Sequence, residues 1–383
     1  MKYTTTAAVA NFKCLQADCP DTCCKGWSMQ LDDRTYAKYT GELELENAVA
    51  YDSVDGEIRV MKRDTKTDYC VKFTDGKCGI HAKFGEEFLG DACNFYPRVT
   101  RKLGDEIVMT ATMSCPEIAR LELFEDSANN QVKAEAIRLP INMRDYLPEG
   151  LTTEQAQKVH QVFLDACLEE VSPEKIIARI YSASESLKYI PQAEWADAAG
   201  FMLRMADGKL PEAIPDKADY YKLLQIFAGI IHATGKKHNE RLIETLVEME
   251  RALGVSVDWE TLEFRASIAG NLDWTIAQWR RNSGKYDFIL RKFIQSQLSF
   301  SSFPFAGIAK DISEKVRMLI FRFSITRLTL MSLDADANEA TIIRSIQSIA
   351  RVLDHLGDAT LTLNLFENSG WTTDGRIRGL IEG

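Results

Sequence analysis

The chain has 383 residues, enough for two or three domains of ordinary size. Hydrophobic residues make up 45% and charged residues 27%, which excludes a disordered or collagen-like chain. The net charge of −10 works against nonspecific phosphate binding, which needs clustered Lys and Arg, so nucleic acid is not expected as a partner.

The first residues, MKYTTTAAVANFKC, lack the apolar run of a signal peptide. No window approaches the roughly 18 uninterrupted apolar residues that argue for a membrane span. LLQIFAGIIHA and VRMLIFRFSITRLTLMSL are the most apolar windows and read as buried helices. No membrane association is expected, and the expected location is the cytoplasm, where thiols stay reduced.

Short elements fill the first part of the chain. LDDRTYAKYT starts a helix with Asp32 or Asp33 as its cap. GEIRVMKR and CVKF read as short strands, with TDGKC as a turn. IHAKFGEEFLG reads as a short helix. RVTRKLGDEIVMTATMS reads as a hairpin that folds back at LGDE, and SCPEIARLELF restarts a helix with Ser114 or Cys115 as cap, Pro116 at its first position and Glu117 in its first turn. Beyond about residue 150 helical periodicity dominates. Candidate helices cover 153–171, 173–188, 192–206, 216–234, 238–253, 258–281, 285–299, 308–332 and 337–356. The tail TLTLNLFENSGWTTDG alternates and carries glycines, as a strand or ordered coil would. The expected fold is mainly α: a small Cys-rich α+β metal-binding domain over 1–125, followed by a large all-α domain over 126–383 that is the candidate substrate-binding domain.

Nine cysteines are present, and eight fall between Cys14 and Cys115. The spacing is Cys14-x4-Cys19-x3-Cys23-Cys24, then Cys70-x7-Cys78, Cys93 and Cys115. In a large chain without an export signal such crowding favours metal ligation over a disulfide framework. Soft thiolates suit zinc, copper(I) or iron–sulfur clusters. Zinc knuckles show paired, short spacings; wide, irregular ones suit a cluster cradled by several loops. Adjacent side chains in an extended segment point to opposite faces, so Cys23 and Cys24 serve either two sites or one site and a packing role. Eight thiols fill two four-ligand sites or one site with spares. Free cysteine also serves as a small buried apolar residue. Cys167 is read that way, on the apolar stripe of Val159, Phe163 and Leu164.

Nucleotide-binding glycine motifs, H-E-x-x-H and G-x-S-x-G are absent. His81 follows Cys78 by three residues and is a possible extra ligand, or part of the short helix. His232 reads as a core residue, and His355 ends the helix of SIARVLDHLG.

The segments FKCLQADCPDTCCKGWSMQLDDRTYAKY, DGKCGIHAKFGEEFLGDACNFYPR and MSCPE resemble the flagellin lysine-N-methylase family, within a wider Cys-rich group described as zinc- or iron-chelating. The resemblance covers about residues 10–120, with looser likeness in FILRKFIQSQLSFSSFPF and SIARVLDH. It implies a methyltransferase that places methyl groups from S-adenosylmethionine on flagellin lysines, with a 4Fe-4S cluster as cofactor and zinc as the alternative. The implied metal ligands are Cys14, Cys19, Cys23, Cys24, Cys70, Cys78, Cys93 and Cys115. Trp27, Tyr96 and Arg98 are candidate cofactor-binding residues. Trp27 offers a ring face to a sulfonium or a cluster, and Arg98 a fork for a carboxylate. The C-x-x-x-C-x-x-C motif of radical enzymes is absent, which favours non-radical transfer. The alternative function is a zinc- or iron–sulfur-binding structural, redox-sensing or electron-transfer protein.

Overall fold

The computed structural model describes residues 2–51, 58–136, 138–209, 211–234, 239–267 and 271–383. Its helical part is organised around Ile312–Met331, whose second half carries apolar residues on nearly every side. Such a helix has to be covered all round, and every residue from Phe323 to Met331 is buried. The helices Pro173–Leu187, Glu240–Leu253, Asp287–Phe300 and Glu339–Leu353 pack against it. Arg327 lies inside the covered stretch. It donates to the carbonyls of Leu380, at 2.9 Å, and Ile381, so it caps the last helix, Asp374–Glu382, instead of standing unpaired.

Side-chain caps explain where many of the helices begin. Thr152 and Gln155 form a reciprocal capping box at Thr153–Asp165. Ser172, Asn239, Asp311 and Asn338 each accept a backbone N–H at the start of the helix they precede. The expected helices at 173–188, 192–206, 216–234, 285–299, 308–332 and 337–356 appear within a few residues of those limits. That at 153–171 ends as a helix at Asp165 and tightens to a 3-10 turn, and residue 238 of the 238–253 expectation lies outside the described residues.

Three expectations are corrected. Residues 258–281 are not one helix: Val255–Asp258 and Glu263–Ala266 form an antiparallel ribbon, and a helix runs over Asn271–Asn282. Residues 268–270 between them lie outside the described residues. The cause is turn chemistry: the Asp258 carboxylate accepts from the N–H groups of Glu260 and Thr261 at 3.0 and 3.1 Å and turns the chain back. The tail is neither strand nor coil but two helices, Thr360–Asn368 and Asp374–Glu382. Six alternating residues fit either period, and burial of Thr362 with Phe366, four apart, chooses the helix. His232 is exposed near the end of Ala218–Ala233, and among the described residues the buried histidine is His160, whose ring contacts the Phe303 carbonyl at 2.8 Å.

In the N-terminal part, Lys2–Thr6 lies between a parallel neighbour, Glu106–Ala111, and an antiparallel one, Gln131–Glu135. Arg98–Leu103 completes the sheet through the hairpin, which turns at Gly104-Asp105 as expected. The fourth strand thus comes from beyond residue 125. The helix Pro116–Phe124 starts from Cys115 and packs Ile118 against Tyr3, Val9, Phe12 and Met109. A separate small core of Leu31, Tyr39, Leu45, Met61, Ile80 and Leu89 supports the thiol-bearing turns. It is built from Asp33–Tyr39, capped by Asp32, with two short ribbons and the helices Gly79–Phe84 and Asp91–Phe95. Gly56 and Glu57 of the expected strand lie outside the described residues; the strand itself is Arg59–Met61. No helix among the described residues is long and apolar enough to cross a membrane.

Candidate functional site

Eight cysteines far apart in sequence line one cavity of about 730 Å³. They are Cys14, Cys19, Cys23, Cys24, Cys70, Cys78, Cys93 and Cys115, and all are free thiols. Trp27, Tyr96, Arg98 and His81 line the same space. Cys167 lies elsewhere, buried in the helical core, where burial pushes its thiol up to about 12.

The loop that carries the first four thiols is pinned from two sides. On one side the Cys70 N–H donates to the Cys24 carbonyl at 2.7 Å and the Gly26 N–H to the Asp68 carbonyl at 3.3 Å. On the other side stands the helix Glu339–Leu353. Arg351 donates to the Asp21 carboxylate at 3.0 Å and to the Lys25 carbonyl at 2.5 Å. Its guanidinium lies 4.2 Å from the centre of the Trp27 ring. Gly26 allows this approach: its φ is +88°, and a β-carbon there would sit 3.3 Å from the Arg351 guanidinium. One turn earlier, Gln347 donates to Asp21 at 2.8 Å and to the Ser114 carbonyl at 2.9 Å. Residues four apart on a helix share a face, so one face of Glu339–Leu353 holds the thiol loop.

The neighbours of each thiol divide the set. Cys19 lies in the field of Cys14 and Cys23, and Cys115 in that of Cys19 and Cys14. Cys24 and Cys93 lie in the field of Cys23, Cys70 and Cys78. Cys23 sits between the two lobes. The Cys24 S–H donates to the Cys23 sulfur and, with help from the Arg351 charge, lowers the Cys23 thiol below its ordinary value. The same contact raises Cys24. Burial raises Cys19, Cys70 and Cys93, and pushes Cys115 up to about 12.

Lys13, Arg63, Lys77, Arg98 and Arg351 line the cavity against two carboxylates, Asp21 and Glu86. That excess suits an anionic occupant, such as a group bound by several thiolates. No three His, Cys, Asp or Glu side chains converge as ligands of one ion among the described residues. The donor set and the cavity volume fit a body larger than a single ion. Cys24, Cys70, Cys78 and Cys93 stand on one side of Cys23, and Cys14, Cys19 and Cys115 on the other.

Beside the thiols runs a polar chain that sequence reading missed. The Tyr96 hydroxyl lies 3.1 Å from the Ser114 hydroxyl, which lies 2.9 Å from Nε2 of His355. Thr112 contacts the Ser114 hydroxyl at 3.0 Å and donates to Asp354 at 2.7 Å; Asp354 in turn pairs with Arg322. Trp27, Tyr96 and His355 form an aromatic group, with ring centres 4.5 to 6.4 Å apart. Trp27 donates to the Cys23 carbonyl at 2.8 Å. The Arg98 guanidinium stacks 5.0 Å from the Phe12 ring centre. The signal for Gln347, Arg351 and His355 was their spacing of four residues in SIQSIARVLDH.

The family model described as the FliB lysine N-methylase C-terminal domain matches residues 156–379, more than half of the chain. The chain belongs to the FliB lysine N-methylase family. The family span includes the helix Glu339–Leu353 and therefore Gln347 and Arg351, the helix side of the clamp on the thiol loop. Among curated proteins, the flagellar biosynthetic protein FliU of Salmonella muenchen is 27% identical over 135 residues, 33% of this chain and 79% of that protein. The lysine-N-methylases of Salmonella choleraesuis and Salmonella typhimurium are each 25% identical over 155 residues. These alignments cover 38% of this chain and 38% of either relative. No solved structure matches.

Proposed function

We propose that this FliB-family protein is an S-adenosylmethionine-dependent protein-lysine N-methyltransferase that acts on flagellin and carries a cysteine-ligated iron–sulfur cluster. One observation carries the reading: the cavity lined by eight thiols, Trp27, Tyr96 and Arg98 is clamped to a helix of the lysine N-methylase family span by Arg351.

A lysine ammonium has a pKa of about 10.4, and only the neutral amine attacks a sulfonium methyl. In the transfer the N–C bond forms, the C–S bond breaks with its electron pair passing to sulfur, and one proton leaves the new ammonium. The half-buried Tyr96 lines the cavity, and Ser114 links its hydroxyl to His355, which is exposed. This chain of hydroxyls and imidazole gives the proton a route to solvent. Arg98 supplies a guanidinium to the donor carboxylate. The Trp27 ring, already stacked by Arg351, forms cavity wall beside it. A bound cluster would supply an electron-rich, redox-active body in the thiol cavity; polar methyl transfer does not itself require one.

Anaerobic purification followed by iron, sulfide and zinc analysis tests the cofactor. A brown protein containing iron and sulfide is expected. A colourless protein with stoichiometric zinc would overturn the cluster and favour the structural zinc alternative. Cys23→Ser and Cys24→Ser should each lower metal content; if neither does, the ligand assignment fails. Incubation with S-adenosylmethionine and flagellin should add mass in steps of one methyl group. Unmodified flagellin in the presence of the intact holoprotein would reject the methylase reading.

A further inference from the structure

A second cavity, of about 160 Å³, lies between the hairpin and the helical part, away from the thiols. Arg101 enters it from the strand Arg98–Leu103, Lys315 and Arg322 from the helix Ile312–Met331. Arg322 is paired with Asp354, the one carboxylate that lines the space. Neither Arg101 nor Lys315 is paired with a carboxylate among the described residues. Arg101 donates to the Thr110 hydroxyl at 3.0 Å and to the Tyr146 hydroxyl, and Lys315 to the Pro304 and Phe305 carbonyls at 2.9 and 2.8 Å. These bonds use two of the three ammonium donors and leave guanidinium donors of Arg101 unspent. Burial pushes Lys315 down to about 8 and Arg101 down to about 10, as expected of cations short of compensating charge.

We propose that this cavity binds a small organic carboxylate. Two cations with no carboxylate at salt-bridge distance among the described residues, one of them a planar fork and the other only in the field of Asp311 and Glu314, match the two oxygens of a carboxylate. Phe300, Met318, Leu319 and Leu356 supply apolar wall for the body of the acid. At about 15 Å³ for each water-sized group, the volume holds about ten non-hydrogen atoms. S-adenosylmethionine is much larger and carries a sulfonium that these cations repel, so the site is distinct from the methyl-transfer cavity. The Arg322–Asp354 pair joins it to Thr112 and Ser114, and places the bound acid at the far end of the polar chain that reaches Tyr96.

Isothermal titration of the full chain with benzoate and with butyrate tests the site. Butylammonium, inorganic phosphate and S-adenosylmethionine serve as comparisons. Saturable benzoate binding is expected, with none for butylammonium. Lys315→Met should weaken it about tenfold or more, the effect of losing one charge-assisted hydrogen bond. Ile308→Trp, on the partly exposed rim of the cavity, should abolish it while retaining both cations. Because Lys315 also holds the 304–305 turn, the rim variant decides the question if Lys315→Met does not fold. The proposal is overturned if no carboxylate binds saturably into the millimolar range, if phosphate binds and both carboxylates do not, or if Ile308→Trp binds benzoate like the parent. Benzoate displaced competitively by S-adenosylmethionine would also overturn it, by assigning the anion to the donor cavity.

Discussion

Glu122 offers a direct test of the packing argument. It sits in the helix Pro116–Phe124 at 3% exposure and accepts from the Ser296 hydroxyl at 2.5 Å across the contact with Asp287–Phe300. Burial raises its carboxyl from 4.5 to about 8, with the nearby Asp354 adding to the rise and the Ser296 bond opposing it. The folded chain therefore holds a proton that the unfolded chain has lost between these two values. Stability falls as pH rises across that window, because the native state binds more protons than the unfolded one. At about 1.4 kcal/mol per tenfold change in the proton equilibrium, the whole window is worth about 5 kcal/mol. Glu122→Gln keeps the shape and removes the ionisation. Urea melts of both proteins at pH 5 and pH 9 isolate the effect, since other titrating groups cancel in the difference. Relative to the parent, the variant should gain about 4 kcal/mol between the two pH values. A difference that stays constant within about 0.5 kcal/mol would show that Glu122 is solvated or ionised in the fold and would refute the reasoning.

Other substitutions probe the clamp, the proton route and the core. Arg351→Met removes the cation from the half-buried Asp21 and should loosen the loop by about 2 kcal/mol; the backbone amides of residues 21–26 in the metal-free protein should then exchange hydrogen faster, and unchanged exchange would reject the clamp. Tyr96→Phe and His355→Ala should each lower kcat about tenfold or more with little change in KM; an effect confined to KM would assign them to binding alone. Gly379→Ala drives a methyl group into the Ile214 carbonyl and should destabilise by about 3 kcal/mol. Gly284→Ala meets nothing within 4 Å and should stay within about 0.5 kcal/mol in thermal melts.

Much of the helical part was legible because caps and apolar periodicity act over a few residues. Ser172-Pro173 and Asn338 mark their helices in the sequence, and both start where those residues place them. The misreadings fell where local pattern was weak. The Asp258 turn interrupted a segment that also fits a helical period, and TLTLNL fits two periods until tertiary burial selects Thr362 with Phe366. In the candidate site, the eight thiols were visible as a cluster in the sequence, and Trp27, Tyr96 and Arg98 as candidates beside the family resemblance. Their partners were not, because Arg351 and Asp21 are 330 positions apart.

The sequence by itself determined the chemistry on offer: free thiols concentrated before residue 116, an aromatic and a guanidinium near them, and a largely helical remainder. Tertiary structure alone decided that the eight thiols share one cavity, that Cys23 lies between two lobes, and that Ser114 joins Tyr96 to His355. The physical reason is range. Caps, turns and helical faces are set by neighbours a few residues apart, whereas a cavity wall is set by which distant surfaces must meet to bury their apolar faces and pair their buried charges.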